Sequence, residues 1–421
     1  MEAKVDLCRL VTCGSVDDGK STLIGRLLYD SKQVMSDQLE HIEQASERRG
    51  DGYVNLALLT DGLRAEREQG ITIDVAYRPF ATPRRRFIIA DSPGHVQYTR
   101  NMATGASTAD VAVILIDARH GVVEQTRRHA YVCALLRIPR LVVAINKMDL
   151  VGFDQGVFDA ISAAFRDFAA GLDVIIDIIP ISALDGDNVV DDGERMPWYS
   201  GTSLLHHLER IPLDRDDADL PARYPVQWVI RPQTAEHHDY RGYAGQIAAG
   251  VLHPGMGVVV LPAGHRTTIA SVETADGPLE QAEAPKSVTV RLAENIDIAR
   301  GDMLVAIDEP PVVTRALVAD VVWMSDRELR RGARYVVHHT TRDARAVVDG
   351  IEDRIDIHTF DRQSSDSLGL NDIGRIRIRL SQPLVVDPYA ANRTTGSFIL
   401  VDEATNDTLG AGMVVAADPD R

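Results

Sequence analysis

Gly14-Ser15-Val16-Asp17-Asp18-Gly19-Lys20-Ser21 spells a glycine, four residues, then Gly-Lys-Ser, directly after the apolar run Leu7 to Cys13. Ser21-Thr22-Leu23-Ile24-Gly25-Arg26-Leu27-Leu28 behind it reads as a helix. Strand, loop and helix are the setting in which this pattern binds phosphate, because glycine lets backbone N–H groups close on the oxygens and the helix N-terminus adds partial positive charge. All eight residues are candidate phosphate contacts. Lys20 is predicted to reach the β- and γ-phosphates, and the Ser21 hydroxyl to ligate magnesium. A plain glycine turn is the bland alternative, and the motifs downstream weigh against it.

Asp91-Ser92-Pro93-Gly94-His95 follows the apolar run Phe87 to Ala90, so Asp91 stands at the carboxyl end of a strand, where nucleotide sites form in open α/β sheets. Asp91 reads as a magnesium-side carboxylate, Gly94 as a backbone donor to the γ-phosphate, and His95 as the residue that orients a water for in-line attack. Upstream, Glu66-Arg67-Glu68-Gln69-Gly70-Ile71-Thr72-Ile73 is a charged stretch running into a β-like segment. The Thr72 hydroxyl is expected on magnesium, in a switch segment that orders around the γ-phosphate and relaxes after hydrolysis. Alone, either stretch would read as an ordinary turn or a solvated helix end.

Asn146-Lys147-Met148-Asp149 follows the buried-strand candidate Leu141 to Ile145. The Asp149 carboxylate can accept N1–H and the exocyclic amine of guanine, whereas adenine offers neither donor in that arrangement and leaves a buried charge unpaired. The expected nucleotide is therefore GTP, with Mg2+. Asn146 is expected to hold the loop and base, Lys147 to lay its stem along the base plane, and Ser182-Ala183-Leu184 to back the site.

These motifs, with Leu59 to Tyr77, Gln97 to Ser107 and Ala144 to Leu150, resemble the translational GTPase superfamily. Within it the chain is similar to the GTP-binding large subunits of bacterial sulfate adenylyltransferases. The likeness continues through Pro197-Trp198-Tyr199, Tyr224 to Gln227, Val229 to Pro232, Arg241 to Gly245 and Thr395 to Leu400, nearly the whole chain. Elongation factors of the Tu type usually carry histidines where this chain has Ser15 and Asp18, which favours the sulfate branch. Ser92 and Val96 also depart from the usual residues of such loops, without touching an expected phosphate or metal contact. The resemblance implies that Val16 and Ile71 form an apolar pair gating His95, with loop packing an equal alternative. It implies a GTPase subunit that couples hydrolysis to the formation of adenylyl sulfate and pyrophosphate from ATP and sulfate on a smaller adenylyl-transferring partner. The chain carries no second glycine-rich ATP motif and no His-x-Gly-His pair, which leaves adenylyl transfer to that partner and predicts no fused adenylyl-sulfate kinase. The competing readings are a translation factor delivering aminoacyl-tRNA and a stand-alone regulatory GTPase.

Composition agrees. The 421 residues are 45% hydrophobic and 25% charged, ordinary for a globular protein of two or three domains. The formal charge of −17 argues against nucleic acid as a partner, since that affinity comes from clustered Lys and Arg. Arg84-Arg85-Arg86 is the densest basic spot and reads as a solvated hairpin tip. No run is long enough to span a bilayer and the N-terminus has no signal-like core, so a cytoplasmic protein is expected. Cys8, Cys13 and Cys133 lack metal-site spacing and read as reduced core thiols. The adjacent pairs His206-His207, His237-His238 and His338-His339 make poor chelates, because neighbours in a strand or helix diverge. Trp198, Trp228 and Trp323 read as packing anchors.

Apolar runs at Leu7–Cys13, Ile71–Tyr77, Phe87–Ala90, Val111–Asp117, Leu141–Ile145 and Ile175–Ile181 alternate with helical stretches at Val123–Leu136 and Phe153–Leu172. That alternation predicts an α/β P-loop GTPase domain, a mostly parallel sheet with helices on both faces, over residues 1–212. The polar, proline-bracketed stretch 213–224 reads as a linker. Short strand-like runs with Gly and Pro punctuation then predict two small β-barrel domains, 225–311 and 312–421, divided at Pro310-Pro311.

Overall fold

The structure is a computed structural model and describes residues 6–34, 36–49, 54–59, 74–95, 99–213, 217–232 and 240–417. The chain divides into two compact units, Met1–Asp214 with Ile357–Phe360, and Arg215–Asp356 with Asp361–Arg421.

The first unit is built on β1 (Leu7–Cys13), β2 (Ala76–Ala81), β3 (Arg86–Asp91), β4 (Val111–Asp117), β5 (Arg140–Asn146) and β6 (Ile175–Pro180). They lie in the order β2-β3-β1-β4-β5-β6, and every neighbour pair is parallel except β2 with β3. All seven residues of β4 are buried, as expected of a strand covered on both faces. Helices α1 (Lys20–Asp30), α2 (Ser36–Arg49), α3 (Thr99–Ala106), α4 (Glu124–Leu135), α5 (Gln155–Ala169) and α6 (Leu204–Arg210) accompany the sheet. Leu23, Ile24 and Leu27 of α1 bury against Cys8 and Leu10 of β1 and Phe87 and Ile89 of β3, which fixes the helix behind the loop between β1 and α1. Because β1 leads to α1 while its neighbours β3 and β4 come later in the chain, the carboxyl ends of the interior strands β3, β1 and β4 open a crevice at that end of the sheet. Of the strand expected over Ile71–Tyr77, residues 71–73 lie outside those described, 74–75 are not in a strand, and β2 spans Ala76–Ala81.

Arg85 departs from the solvated tip expected of it. The guanidinium is buried, donates from Nη1 to the carbonyls of Leu208 at 3.0 Å and Ile211 at 2.7 Å, and pairs with Asp6 at 3.6 Å. These carbonyls belong to the end of α6, whose last acceptors have no partners within the helix, so a cation there satisfies them and opposes the negative end of the dipole. Arg84 keeps the predicted exposure.

The second unit holds two large antiparallel sheets and two short two-stranded ones, 251–252 with 282–283 and 329–330 with 367–368. The strand order of the first is 223–225, 303–306, 257–261, 265–274, 287–292, 242–246, 228–230, an isolated bridge links Arg223 to Ala249, and Tyr224, Val258, Val260, Val272, Val290 and Leu304 lie in its core. In the second, strands 334–339, 397–401, 408–417, 312–323, 373–386 and 342–355 pair in turn, and the last pairs again with the first, closing a six-stranded barrel. Leu317, Ala319, Val321 and Trp323 alternate into its core with Ile376, Ile378 and Leu380. Outward-facing Arg375, Arg377 and Arg379 pair with Asp320, Glu352 and Asp349. Trp198 and Trp323 pack as expected, Trp323 donating Nε1–H to Arg327 O at 2.7 Å, whereas Trp228 is 67% exposed on an outer strand.

Arg223 of the first barrel meets Asp387 of the second in a buried bidentate pair, Nε to Oδ2 2.9 Å and Nη2 to Oδ1 3.0 Å, with Thr395 Oγ1 donating to the same carboxylate at 2.6 Å. Val259, Leu261, Met303, Val305 and Val385 surround the join. Removing one partner of such a pair strands the other charge out of water. Arg223→Met should therefore lower the stability of this unit by about 3–5 kcal/mol in urea unfolding, much more than truncation of an exposed pair such as Arg330–Glu328.

A nucleotide site at the carboxyl ends of the sheet

The loop between β1 and α1 wraps around Lys20. Its ammonium donates to the carbonyls of Gly14 at 2.9 Å and Ser15 at 2.7 Å, and Ser15 N–H donates to the Asp18 carboxylate. Gly19 has φ +92°, and a Cβ there would lie 2.5 Å from Asn146 Nδ2, so both the backbone and the space require glycine. Burial pushes the Asp18 carboxyl up, against the pull of Lys20, and pushes the Lys20 ammonium down, against Asp18 and Asp91. The loop concentrates charge in a dry place, the condition under which a phosphate is bound strongly. Val16 is 38% exposed, and its expected partner Ile71 lies outside the described residues.

Asp91, 1% exposed, ends β3, and the turn after it leads over Lys20. A Cβ on Gly94 would lie 2.4 Å from Lys20 Nζ and 2.9 Å from Gly14 O, so two segments distant in sequence touch where only glycine fits. Ser92 Oγ donates to Thr12 O and ties this turn to the end of β1. His95 is partly exposed just beyond it. The hydroxyl of Ser21 and the carboxylate of Asp91 are hard oxygen donors of the type Mg2+ takes alongside phosphate and water. Thr72, the third expected metal ligand, lies outside the described residues.

Asn146 joins three loops. Its Nδ2 donates to Asp18 O at 2.8 Å in the phosphate loop, and its Oδ1 accepts from Ala183 N at 2.9 Å in the loop after β6. Ser182 Oγ donates to Asp149 Oδ1 at 2.7 Å and accepts from Asp185 N at 3.2 Å, which holds the Asp149 carboxylate in place. Lys147, at φ +64°, turns its side chain back to the carbonyl of Asp17. Leu150 and Leu184 are exposed on this loop and its backing loop. The predicted phosphate and guanine residues thus converge.

Other supporting residues escaped the sequence reading. Arg26 of α1 donates to the carbonyls of Ala183 and Leu184. Arg119 holds the Asp117 carboxylate bidentately at 3.0 and 2.7 Å. His129 of α4 is fully buried, its Nδ1 accepting from Gly14 N at 3.2 Å. With Nδ1 an acceptor, the neutral ring carries its proton on Nε2, 2.8 Å from the Gln125 side-chain amide, which accepts that proton when it is turned to present its oxygen. A histidine in a helix that otherwise packs on the sheet was the available signal, but nothing in the sequence told which loop it supports.

Comparison with known proteins agrees with this geometry. Residues 6–215 match the family model described as the elongation factor Tu GTP binding domain, and residues 316–415 match GTP-eEF1A C-terminal domain-like. The chain therefore carries a GTP-binding domain of the elongation-factor class. It is 53% identical over 414 residues to the sulfate adenylyltransferase subunit 1 of Tolumonas auensis, covering 98% of this chain and 87% of that protein. It is 52% identical over 412 residues to the protein of the same name from Aeromonas salmonicida, covering 97% and 87%. A protein named bifunctional enzyme CysN/CysC from Mycobacterium tuberculosis is 56% identical over 412 residues, covering 97% of this chain and 67% of that protein. The chain belongs to the sulfate adenylyltransferase subunit 1 family. Among the described residues no helix is long and apolar enough to cross a membrane.

Burial first, then the charges of Lys20 and Arg128, pull the His129 imidazolium down to about 3. The fold therefore keeps the ring neutral, while the unfolded chain takes up a proton below about pH 6.5. Stability from this site is present above that pH and is lost as pH falls toward 3, at up to about 1.4 kcal/mol per pH unit. Unfolding of the first unit between pH 7 and pH 5 should show this extra slope, and His129→Asn should lack it.

Proposed function

We propose that this chain is the GTP-hydrolysing subunit of a sulfate adenylyltransferase, and that GTP turnover at its first unit drives formation of adenylyl sulfate on a smaller partner subunit. The observation that carries the reading is the Asn146 side chain, which locks the phosphate loop to the loop that reads the base, combined with membership of the family. Residues 1–212 are the nucleotide domain, 213–224 the connection, and 225–311 and 312–421 the two barrels. Glycine-permitted N–H groups of residues 14–21 and Gly94 receive the phosphates, and Lys20 leaves its loop carbonyls for the β- and γ-oxygens. Ser21, Asp91 and Thr72 would hold Mg2+, which would supply charge neutralisation on the phosphates. Asn146, Lys147, Asp149, Ser182, Ala183 and Leu184 hold the guanine. His95 orients a water whose oxygen forms the new bond to the γ-phosphorus as the bond to GDP breaks, and Val16 with Ile71 gates its approach.

In the coupled reaction a sulfate oxygen attacks the α-phosphorus of ATP on the partner, and pyrophosphate leaves. Sulfate is a poor nucleophile and the mixed anhydride is high in energy, so hydrolysis elsewhere favours product when the GTP and GDP states bind the partner differently. No membrane or nucleic acid has a role in this scheme, which is that of a cytoplasmic assimilation enzyme.

Mixing the chain with a small adenylyl-transferring subunit, ATP, sulfate and GTP should yield adenylyl sulfate in step with GTP turnover. GTP-dependent capture of aminoacyl-tRNA without adenylyl sulfate would overturn the proposal. His95→Ala should lower turnover by about 10²-fold or more with nucleotide binding largely kept, measured by phosphate release. Unchanged turnover would remove His95 from the role. Asp149→Asn should erode the preference for GTP over xanthosine triphosphate by at least about tenfold, read from competition binding.

A further inference from the structure

Asp117 is the last residue of β4, beside Asn146 in the register of β4 with β5, so the base-reading loop leaves the sheet next to its carboxylate. The side chain is 2% exposed, yet it carries four links: Oδ2 lies 2.9 Å from Lys147 Nζ and 3.7 Å from His120 Nδ1, Arg119 grips both oxygens, and Arg119 N–H donates to Oδ1 at 2.9 Å. None of the motifs above assigns it a part. Lys147 is a long, flexible side chain, and a stem intended to lie along a base plane is of use only if its tip is held. The tip has two anchors here, the Asp17 carbonyl on one loop and the Asp117 carboxylate on the sheet.

We propose that Asp117 is a positioning residue of the nucleotide site: its carboxylate clamps the Lys147 ammonium so that the lysine stem stays across the slot for the base, and it thereby sets how long a guanine nucleotide remains bound. The inference rests on the guanine-site reading and extends it to a residue outside the base-reading loop. Burial opposes the ionised form of Asp117, but Arg119 and Lys147 together hold its carboxyl well below the usual carboxylate range. The clamp therefore persists across the working pH range. Oδ2 is shared between Arg119 Nη2 at 2.7 Å and Lys147 Nζ at 2.9 Å, so the arginine competes with the lysine for that oxygen, while the Arg119 backbone N–H keeps the carboxylate oriented.

The test is the release rate of a fluorescent GDP analogue from the full chain, chased with unlabelled GDP. Asp117→Asn should speed release by about tenfold to a hundredfold, the fold-change expected for losing a charged hydrogen bond. Lys147→Met should also speed release, and adding Asp117→Asn to it should change the rate by less than about twofold, since the two act through one contact. Full multiplicative effects would make Asp117 a general structural residue and overturn the proposal. Should Asp117→Asn fail to fold, Arg119→Met provides the other arm: with Oδ2 left to Lys147, release should slow by about twofold to threefold, and unchanged or faster release overturns the clamp. If the unmodified protein holds no guanine nucleotide, the guanine reading itself falls. If it does, and a folded Asp117→Asn protein releases GDP at the unmodified rate, the clamp alone falls.

Discussion

The side-chain amide of Asn146 is the constraint on which the nucleotide unit depends. One end donates to the phosphate loop and the other accepts from the loop after β6, at 2.8 and 2.9 Å, with the residue 2% exposed. An amide is suited to this task because it offers donor and acceptor on one rigid plane, so two loops of opposite need are held in fixed register. Its presence explains the glycine opposite, where any side chain at position 19 would collide with Nδ2. It also fixes how the loop after β1 stands relative to the loop after β6.

Around that amide the unit places ionic groups where water is scarce, and each one is answered. Lys20 is covered by its own loop's carbonyls, Asp18 accepts a backbone N–H, Asp117 is held by two cations, and His129 is kept neutral. Buried charges that are individually costly become tolerable when their hydrogen-bonding capacity is met. These contacts hold the loops in shape, which lowers the ordering cost of binding. The barrel unit applies the same rule at Arg223 and Asp387, where a guanidinium fork matches a carboxylate and a threonine hydroxyl meets the remaining lone pair.

Much of this was legible in the sequence because its signals are local. β1 and β4 span the residues their apolar runs predicted, and the order of strand, loop and helix around Gly14 to Ser21 placed the phosphate loop before any coordinate did. The two β-rich series after residue 225 read as barrels from their punctuation, although the strand 265–274, polar on its outer face, gave no apolar run to find. The residues that escaped act at a distance. Arg85 looked like one of three solvated arginines, because the carbonyls that bury it belong to residues 208 and 211. His129 serves Gly14 from 115 positions away, and Asp117 meets Lys147 only because β4 and β5 lie side by side. Such partnerships are properties of the folded sheet, and no spacing rule encodes them.

The closed ring of six strands in the second barrel has a consequence for recognition. Each of its strands has two neighbours within the ring, and the end of strand 342–355 that runs past them is taken by the segment 362–363, so most backbone donors and acceptors are spent within this sheet and little border is left on which an incoming peptide could lay an extra strand. Whatever docks against this barrel must be distinguished by the side chains it displays, among them the ladder of arginines at 375, 377 and 379, each already matched to an acid. Specificity there is a matter of trading one set of ionic partners for another, an exchange that rejects mismatched surfaces more sharply than it rewards matched ones.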